Sequence, residues 1–513
     1  QALEKNTTAS NNTAVGLNSL FKNTTGDLNV AVGREAMSAN TTGSENTGVG
    51  RNSLGANTTG ATNVAIGSLA LDANTTGSSN TAVGQAALTG NTTANNNTAV
   101  GQGVLAANTT GTGNSGLGAD SLNDCTTGDY NVALGYQSLA VNTTADNNTG
   151  LGAYTLYDNT TASNNTAVGF SALANNTTGS ENVAIGVNAL LTNTTAAENT
   201  AIGVNAMYAN TTGGDNVAIG HNTLDANTTG ADNTAVGKAA LSANTTASSN
   251  TAVGKSALLS NTTGTSNNAY GVAALDANTT GTANVAVGGN ALGKNTTAND
   301  NIAVGEGALA NNTTGTSNAA VGRSALANNT TAANNTAMGY AALVLNTTGY
   351  QNTAIGSGAG DLTTTGHSNI MIGYLADASS ASAAGQCTLG NSAISNLRCN
   401  DQSISALSDS RDKTDVIDSP YGLDFINTVR PVQFKWESRD GNVKDGSTRI
   451  GFIAQELLAA TGGNNAVLDL VMDDNSDKLE AKYGNLLPIA IKAIQEQTAV
   501  IAALTARITT LEG

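Results

Sequence analysis

Apolar positions along this chain return every 17 residues. One phrase, legible at Asn23 to Ala39 as NTTGDLNVAVGREAMSA, recurs from Asn6 to Thr363 in 22 copies without an insertion. Asn opens each copy except where Cys125 and Thr363 stand, and a second Asn follows six residues later in all of them. Gly stands ten residues after the opening position, and Leu or Met fourteen after it until Gly360. Between the second Asn and the Gly lies a short run such as Thr81-Ala82-Val83 or Val183-Ala184-Ile185, β-branched on one parity and Ala on the other. That alternation predicts a strand of about four residues. An obligatory Gly and the Asn-Thr-Thr triplet exclude a helix, since both favour turns. The Gly is expected to end the strand at positive φ or at a close approach of backbones. A second short strand is expected at the Ala-Leu pair, as in Ala87-Leu88 or Ala274-Leu275.

A short phrase repeated in strict register must build one unit per copy and bury its apolar face by stacking. The predicted class is an all-β repeat rod, a parallel β-roll or solenoid of 22 coils of 17 residues over 1–373. At an inter-strand spacing of about 4.8 Å such a shaft is roughly 100 Å long. Charged residues mark its outside. Asp27, Glu35, Arg51, Asp72, Lys238 and Glu306 all avoid the Asn, Ala, Val, Gly and Leu positions.

Identical Asn residues in successive coils can form a ladder of side-chain amides, and Asn12, Asn29, Asn46, Asn63, Asn80, Asn182 and Asn199 are its candidate rungs. The Asn-Thr-Thr sites, including Asn23, Asn40, Asn57 and Asn74, also fit the N-x-[ST] glycosylation acceptor. Both readings stand at this point. The phrase N-[TV]-A-[VI]-G-x-x-A-L resembles the head repeats of trimeric adhesins, which implies a β-roll with three chains side by side, although those repeats are shorter than this one.

Composition narrows the function. Aromatics are 3 % and charged residues 11 %, too few large side chains for a globular core but enough for a thin stacked one. A net charge of −17 without a basic run argues against nucleic acid and anionic membrane as partners. No uninterrupted apolar run approaches the ~20 residues of a spanning helix, so no membrane insertion is expected. Three cysteines give no disulfide framework; Cys387 and Cys399 either pair or are two small buried residues. His221 and His367 lie far apart, and neither a metal nor a cofactor is expected. Outward Tyr136, Phe170, Tyr340 and Tyr350 are candidates for a strip contacting a host-surface glycan or receptor.

The chain changes character near 374. Residues 374–407 read as a small-residue hinge with a strand-like segment at Ala393-Ile394-Ser395-Asn396-Leu397-Arg398. All three prolines and the only Trp, Trp436, follow it, within a separate small α+β domain over 408–513. That domain opens with Ser408-Asp409-Ser410-Arg411-Asp412-Lys413 and continues through Tyr421-Gly422-Leu423 and Val429-Arg430-Pro431-Val432-Gln433-Phe434-Lys435-Trp436. Gly451-Phe452-Ile453-Ala454-Gln455-Glu456-Leu457 and Tyr483-Gly484-Asn485-Leu486-Leu487-Pro488 complete the order.

This succession resembles the intramolecular chaperone autoprocessing domain that ends phage tail spikes, endosialidases and tail fibres. The resemblance implies a chaperone that assembles a homotrimer and then cleaves itself off once, at a Ser-Asp bond. Carried over, Ser408 is the nucleophile, Asp409 the first residue of the released chaperone and Lys413 the base. A serine is a weak nucleophile until a neighbouring amine takes its proton, which a lysine does only when desolvated. Asp412 stands where the family carries an apolar residue, and its carboxylate would tend to hold the proton on Lys413. Ser408-Asp409 can alternatively do no more than cap a turn.

Ile494, Ile501 and Ile508 recur every seven residues with Leu504 and Leu511 in the partner position, which predicts a coiled coil over about 488–513. The expected protein is an extracellular fibre of a virion tail, spacer and receptor contact in one. A bacterial surface adhesin or filament with a retained chaperone cap is the alternative, and an ice-binding solenoid a further one.

Overall fold

The computed structural model describes residues 1–394, 408–437, 446–473, 476–477 and 479–513, and the side chain of Asp412 also lies outside the described residues. The fold is a parallel β-solenoid of about 22 turns of 17 residues, followed by a small β/α region that ends in a long helix. Two compact units are distinguished, Gln1–Thr331 and Ala332–Gly513.

The first unit holds strands β1 (Thr13–Val15) to β19 (Ala319–Val321), each of three residues. Successive strands pair in parallel one period apart, Ala14 with Ala31 and Ala31 with Gly48. The inward positions of a coil are seen at Asn23, Gly26, Asn29, Ala31, Ala36 and Met37, all buried. No coil encloses a core by itself; each Ala and Leu is covered by the same residue of the next coil.

The expected second strand is absent. Ala87 and Leu88 lie in a turn, with Ala86 at φ 56° and Leu88 at φ 52°. A side chain in that left-handed region costs about 1–2 kcal/mol, so a Leu there is held by its surroundings. Leu88 is fully buried, and its N–H still bonds to the Val104 carbonyl of the next coil at 2.9 Å. The chain turns a corner while keeping the inter-coil bond. The Gly position has both properties expected of it: Gly33 sits at φ 138°, and a Cβ there would lie 2.4 Å from the Gly50 carbonyl oxygen.

Two Asn ladders line the interior. In the strand-edge ladder, the Asn46 amide nitrogen donates to Asn29 Oδ1 at 3.2 Å and to the Gly60 carbonyl at 2.9 Å. The Asn29 backbone N–H donates to Asn12 Oδ1 at 2.8 Å, and Asn63, Asn80, Asn182 and Asn199 repeat that backbone bond on the preceding Asn. The opening Asn of the triplet forms a ladder of its own, Asn40 Nδ2 donating to Asn23 Oδ1 at 2.8 Å and to the Gly43 carbonyl at 2.9 Å. This corrects the glycosylation reading. Asn23, Asn40, Asn57 and Asn74 are fully buried with their amides engaged inside the coil, so these four present no nitrogen to a sugar. The first Thr of each triplet is also occupied, its hydroxyl donating across coils as Thr24 does to the Thr41 carbonyl at 3.0 Å.

The second unit begins with coils carrying β20 (Thr336–Met338), β21 (Thr353–Ile355) and β22 (Ile370–Ile372). The sheet then runs one strand past the recognised repeats. β23 (Cys387–Leu389) lies within the segment read as a hinge and pairs in parallel with β22, Ile370 opposite Cys387. Gln386 takes the strand-edge Asn position there, its N–H donating to Asn369 Oδ1 at 3.0 Å. Ala393 lies in a turn and Ile394 in no regular element; 395–398 and Cys399 lie outside the described residues. Cys387 is exposed, which corrects its reading as a buried residue, and Cys125 is buried.

Beyond 408 the chain forms α1 (Leu423–Ile426), the hairpin β24 (Val432–Lys435) and β25 (Thr448–Gly451), α2 (Ala454–Ala460), α3 (Asn465–Leu468), β26 (Val471–Met472), β27 (Glu480–Ala481) and α4 (Leu486–Glu512). Leu457, Leu468, Leu470, Val471, Leu486 and Ile489 make its core, with Phe425 and Phe452 packed against it. Glu496 of α4 accepts the Leu423 N–H at 2.7 Å and so ties α1 to α4.

Candidate functional site

The candidate site is a short loop that folds back on itself. Asp409 has extended backbone and caps the 3-10 turn Ser410–Asp412, accepting the Arg411 N–H at 2.9 Å. Its other oxygen takes the Arg411 guanidinium at 2.5 Å. The Arg411 hydrogen bonds hold the Asp409 carboxyl below the usual carboxylate range. The turn ends at Lys413, again extended, with its N–H on the Ser410 carbonyl.

That geometry returns the Lys413 side chain over the turn, and Lys413 Nζ donates to Ser408 Oγ at 2.6 Å. A lysine in this arrangement is a donor; to serve as base it must first give up its proton, whereupon the serine hydroxyl becomes the donor. Ser408, Asp409 and Lys413 are all exposed in the single chain. Water therefore reaches the pair. The Asp412 carboxylate, read as a neighbour of Lys413, falls outside the described side chains. Sequence reasoning missed Arg411, although its place two residues after Asp409 in a turn is a usable signal for such a clasp.

Among the aromatics, Tyr136 and Phe170 are about half exposed and both meet Tyr154 edge-on, with ring centroids 5.4 and 5.8 Å apart. Tyr154 was not singled out from the sequence. Tyr340 and Tyr350 are exposed, and Tyr350 stacks on His367 at 4.6 Å.

Along α4, Ile494, Ile501, Leu504, Ile508 and Leu511 are more than half exposed. By length and composition it is also apolar enough to cross a membrane, although Lys492, Glu496 and Arg507 interrupt it.

No curated protein matches the chain. The family described as chaperone of endosialidase matches residues 408–468, beginning at the serine of the loop and ending with α3, so α4 lies beyond the match. A chaperone of that kind behind a repetitive β-solenoid suggests a phage tail-fibre-like protein, and it is with the chaperone-of-endosialidase family that the segment 408–468 is identified.

Proposed function

We infer that the chain is the subunit of a trimeric tail fibre, whose C-terminal region drives assembly and then severs itself once between Ser408 and Asp409. The observation that carries this reading is the 2.6 Å contact between Lys413 Nζ and Ser408 Oγ at the start of the family match. The solenoid serves as spacer and as the surface that meets a host-surface glycan or receptor, in an extracellular or virion-associated setting. The unpaired Ile and Leu seam of α4 supports association through the same region. The domain scheme that goes with it is a fibre shaft over 1–373, a connecting segment over 374–407 and a chaperone over 408–513.

In the reaction, Lys413 as free amine takes the Ser408 Oγ proton and Ser408 attacks the carbonyl of the bond to Asp409. The C–N bond breaks, the Asp409 nitrogen takes the proton and leaves as a new N-terminus, and water hydrolyses the ester. Exposure of the pair in one chain is consistent with a reaction that waits for neighbouring copies to exclude water. One observation favours a second reading, a retained cap on a surface adhesin: Asp409 already completes a capped turn with Arg411, which needs no chemistry.

Intact-mass measurement of purified protein separates the two. Wild type should give fragments ending at Ser408 and beginning at Asp409, while Ser408→Ala and Lys413→Ala each leave a full-length chain that still assembles. Cleavage at the same bond in Ser408→Ala would sink the mechanism, and an uncleaved wild type would leave the retained cap.

A further inference from the structure

Each three-residue strand of the first unit turns its middle residue inward and its first and third residues outward, as in Val30-Ala31-Val32. The third position is Val, Ile, Leu or Tyr in every strand from β1 to β19. None of these side chains is buried, and Leu117 is 48 % exposed, Tyr270 43 % and Ile219 39 %. The first position is Thr, Val, Ile, Ser, Asn or Ala, so neither outward position carries a charge in any of these strands. The positions flanking them behave otherwise, accepting Arg34, Glu45, Lys238 and Lys255 without disturbing the repeat.

An exposed Val is ordinary, but an apolar file along a sheet in which every member is at least partly open to water and none is charged is not. Whatever covers it must offer apolar side chains at the same spacing of about 4.8 Å per coil and over the same length. A second copy of this chain does so by construction. Charge points the same way: a chain at −17 repels its copies except along a surface that carries no charge. An ice-binding face would need unbroken ranks of hydroxyls; here the third position holds none, and the Thr file at the first position is interrupted by Val30, Val64, Val132, Val183, Val217 and Val285.

We propose that the outward face of this sheet is the seam along which copies of the chain pack, parallel and coil against coil. This rests on the oligomeric-fibre reading above and adds which face of the solenoid meets the partner. The test places single cysteines in a Cys387→Ser, Cys399→Ser background, leaving buried Cys125. Ile219→Cys lies on the proposed seam, and Thr212→Cys on an exposed Thr position of a different face. After mild oxidation, non-reducing electrophoresis should show linked chains for Ile219→Cys and none for Thr212→Cys, with sedimentation showing an oligomer in both. An oligomer that links at 212 and not at 219, or at neither, overturns the seam and leaves the fibre reading intact. A monomer overturns both, and a monomer with thermal hysteresis would assign the face to ice. Ile219→Asp should lower the assembled fraction at least tenfold with the circular dichroism of the coils unchanged; undiminished assembly would count against the seam.

Discussion

The asparagine ladders show what one side chain is worth in this fold, because a rung is missing at Cys125. Cys125 stands in the opening Asn position, and Asn108 Oδ1 of the preceding coil is buried without a hydrogen-bond partner. The thiol bridges poorly: Asn142 Nδ2 lies 3.9 Å from Cys125 Sγ, and Sγ lies 3.6 Å from the Gly128 carbonyl. Burial pushes the thiol up to about 11, so it stays neutral and inert at ordinary pH. Cys125→Asn would donate to Asn108 Oδ1 and the Gly128 carbonyl and accept from Asn142. An orphaned buried acceptor costs about 1–3 kcal/mol, and the variant should gain within that range, read as a higher denaturation midpoint. A lower midpoint would show that packing around the sulfur outweighs the rung. The repetition made the ladder legible in the sequence, whereas the choice between amide ladder and sugar acceptor needed the burial of Asn23 and Asn40.

The strands were legible because alternation over Thr81-Ala82-Val83 has one structural meaning, and the corner at Ala87-Leu88 was not. An Ala-Leu pair looks the same in a strand and in a buried turn; only the left-handed backbone at Leu88, forced by closure of the coil, separates them. β23 escaped notice because Gln386 replaced the Asn, although Gly390 still held the Gly position. In the C-terminal region the sequence motifs marked the elements without their ties. Glu496, which receives the Leu423 N–H, lies 73 residues away along the chain. A Cβ on Gly422 would come within 2.2 Å of that carboxylate, so the Tyr421-Gly422-Leu423 motif is small where α4 passes. A hydrogen bond to a charged group contributes about 1.5–3 kcal/mol. Glu496→Ala should therefore speed hydrogen exchange at the Leu423 amide by at least tenfold, and Glu496→Gln, which keeps an acceptor, by less. Equal exchange in both variants and wild type would show that the core around Phe425 alone holds α1.

Across the whole chain, the order of motifs after 408 was sufficient to single out the chaperone, and the solenoid was readable from its period alone. The dyad was legible only by resemblance, since a serine and a lysine five residues apart meet in few folds; here the capped turn brings them together. Parallel sheets are slow to form and leave edges open meanwhile. Deleting 409–513 from the gene should yield aggregated or unassembled solenoids, measured by sedimentation of the soluble fraction; soluble oligomers without that segment would remove its role in assembly. The uniformity of the coils carries a further consequence. Because each strand of the first unit meets a near-copy of itself, sliding the ladder by one whole period exchanges nearly every pairing for an equivalent one. Loss or gain of 17 residues therefore leaves each surviving coil with the neighbours it had, so that the number of coils can vary by unequal recombination as beads do on a string.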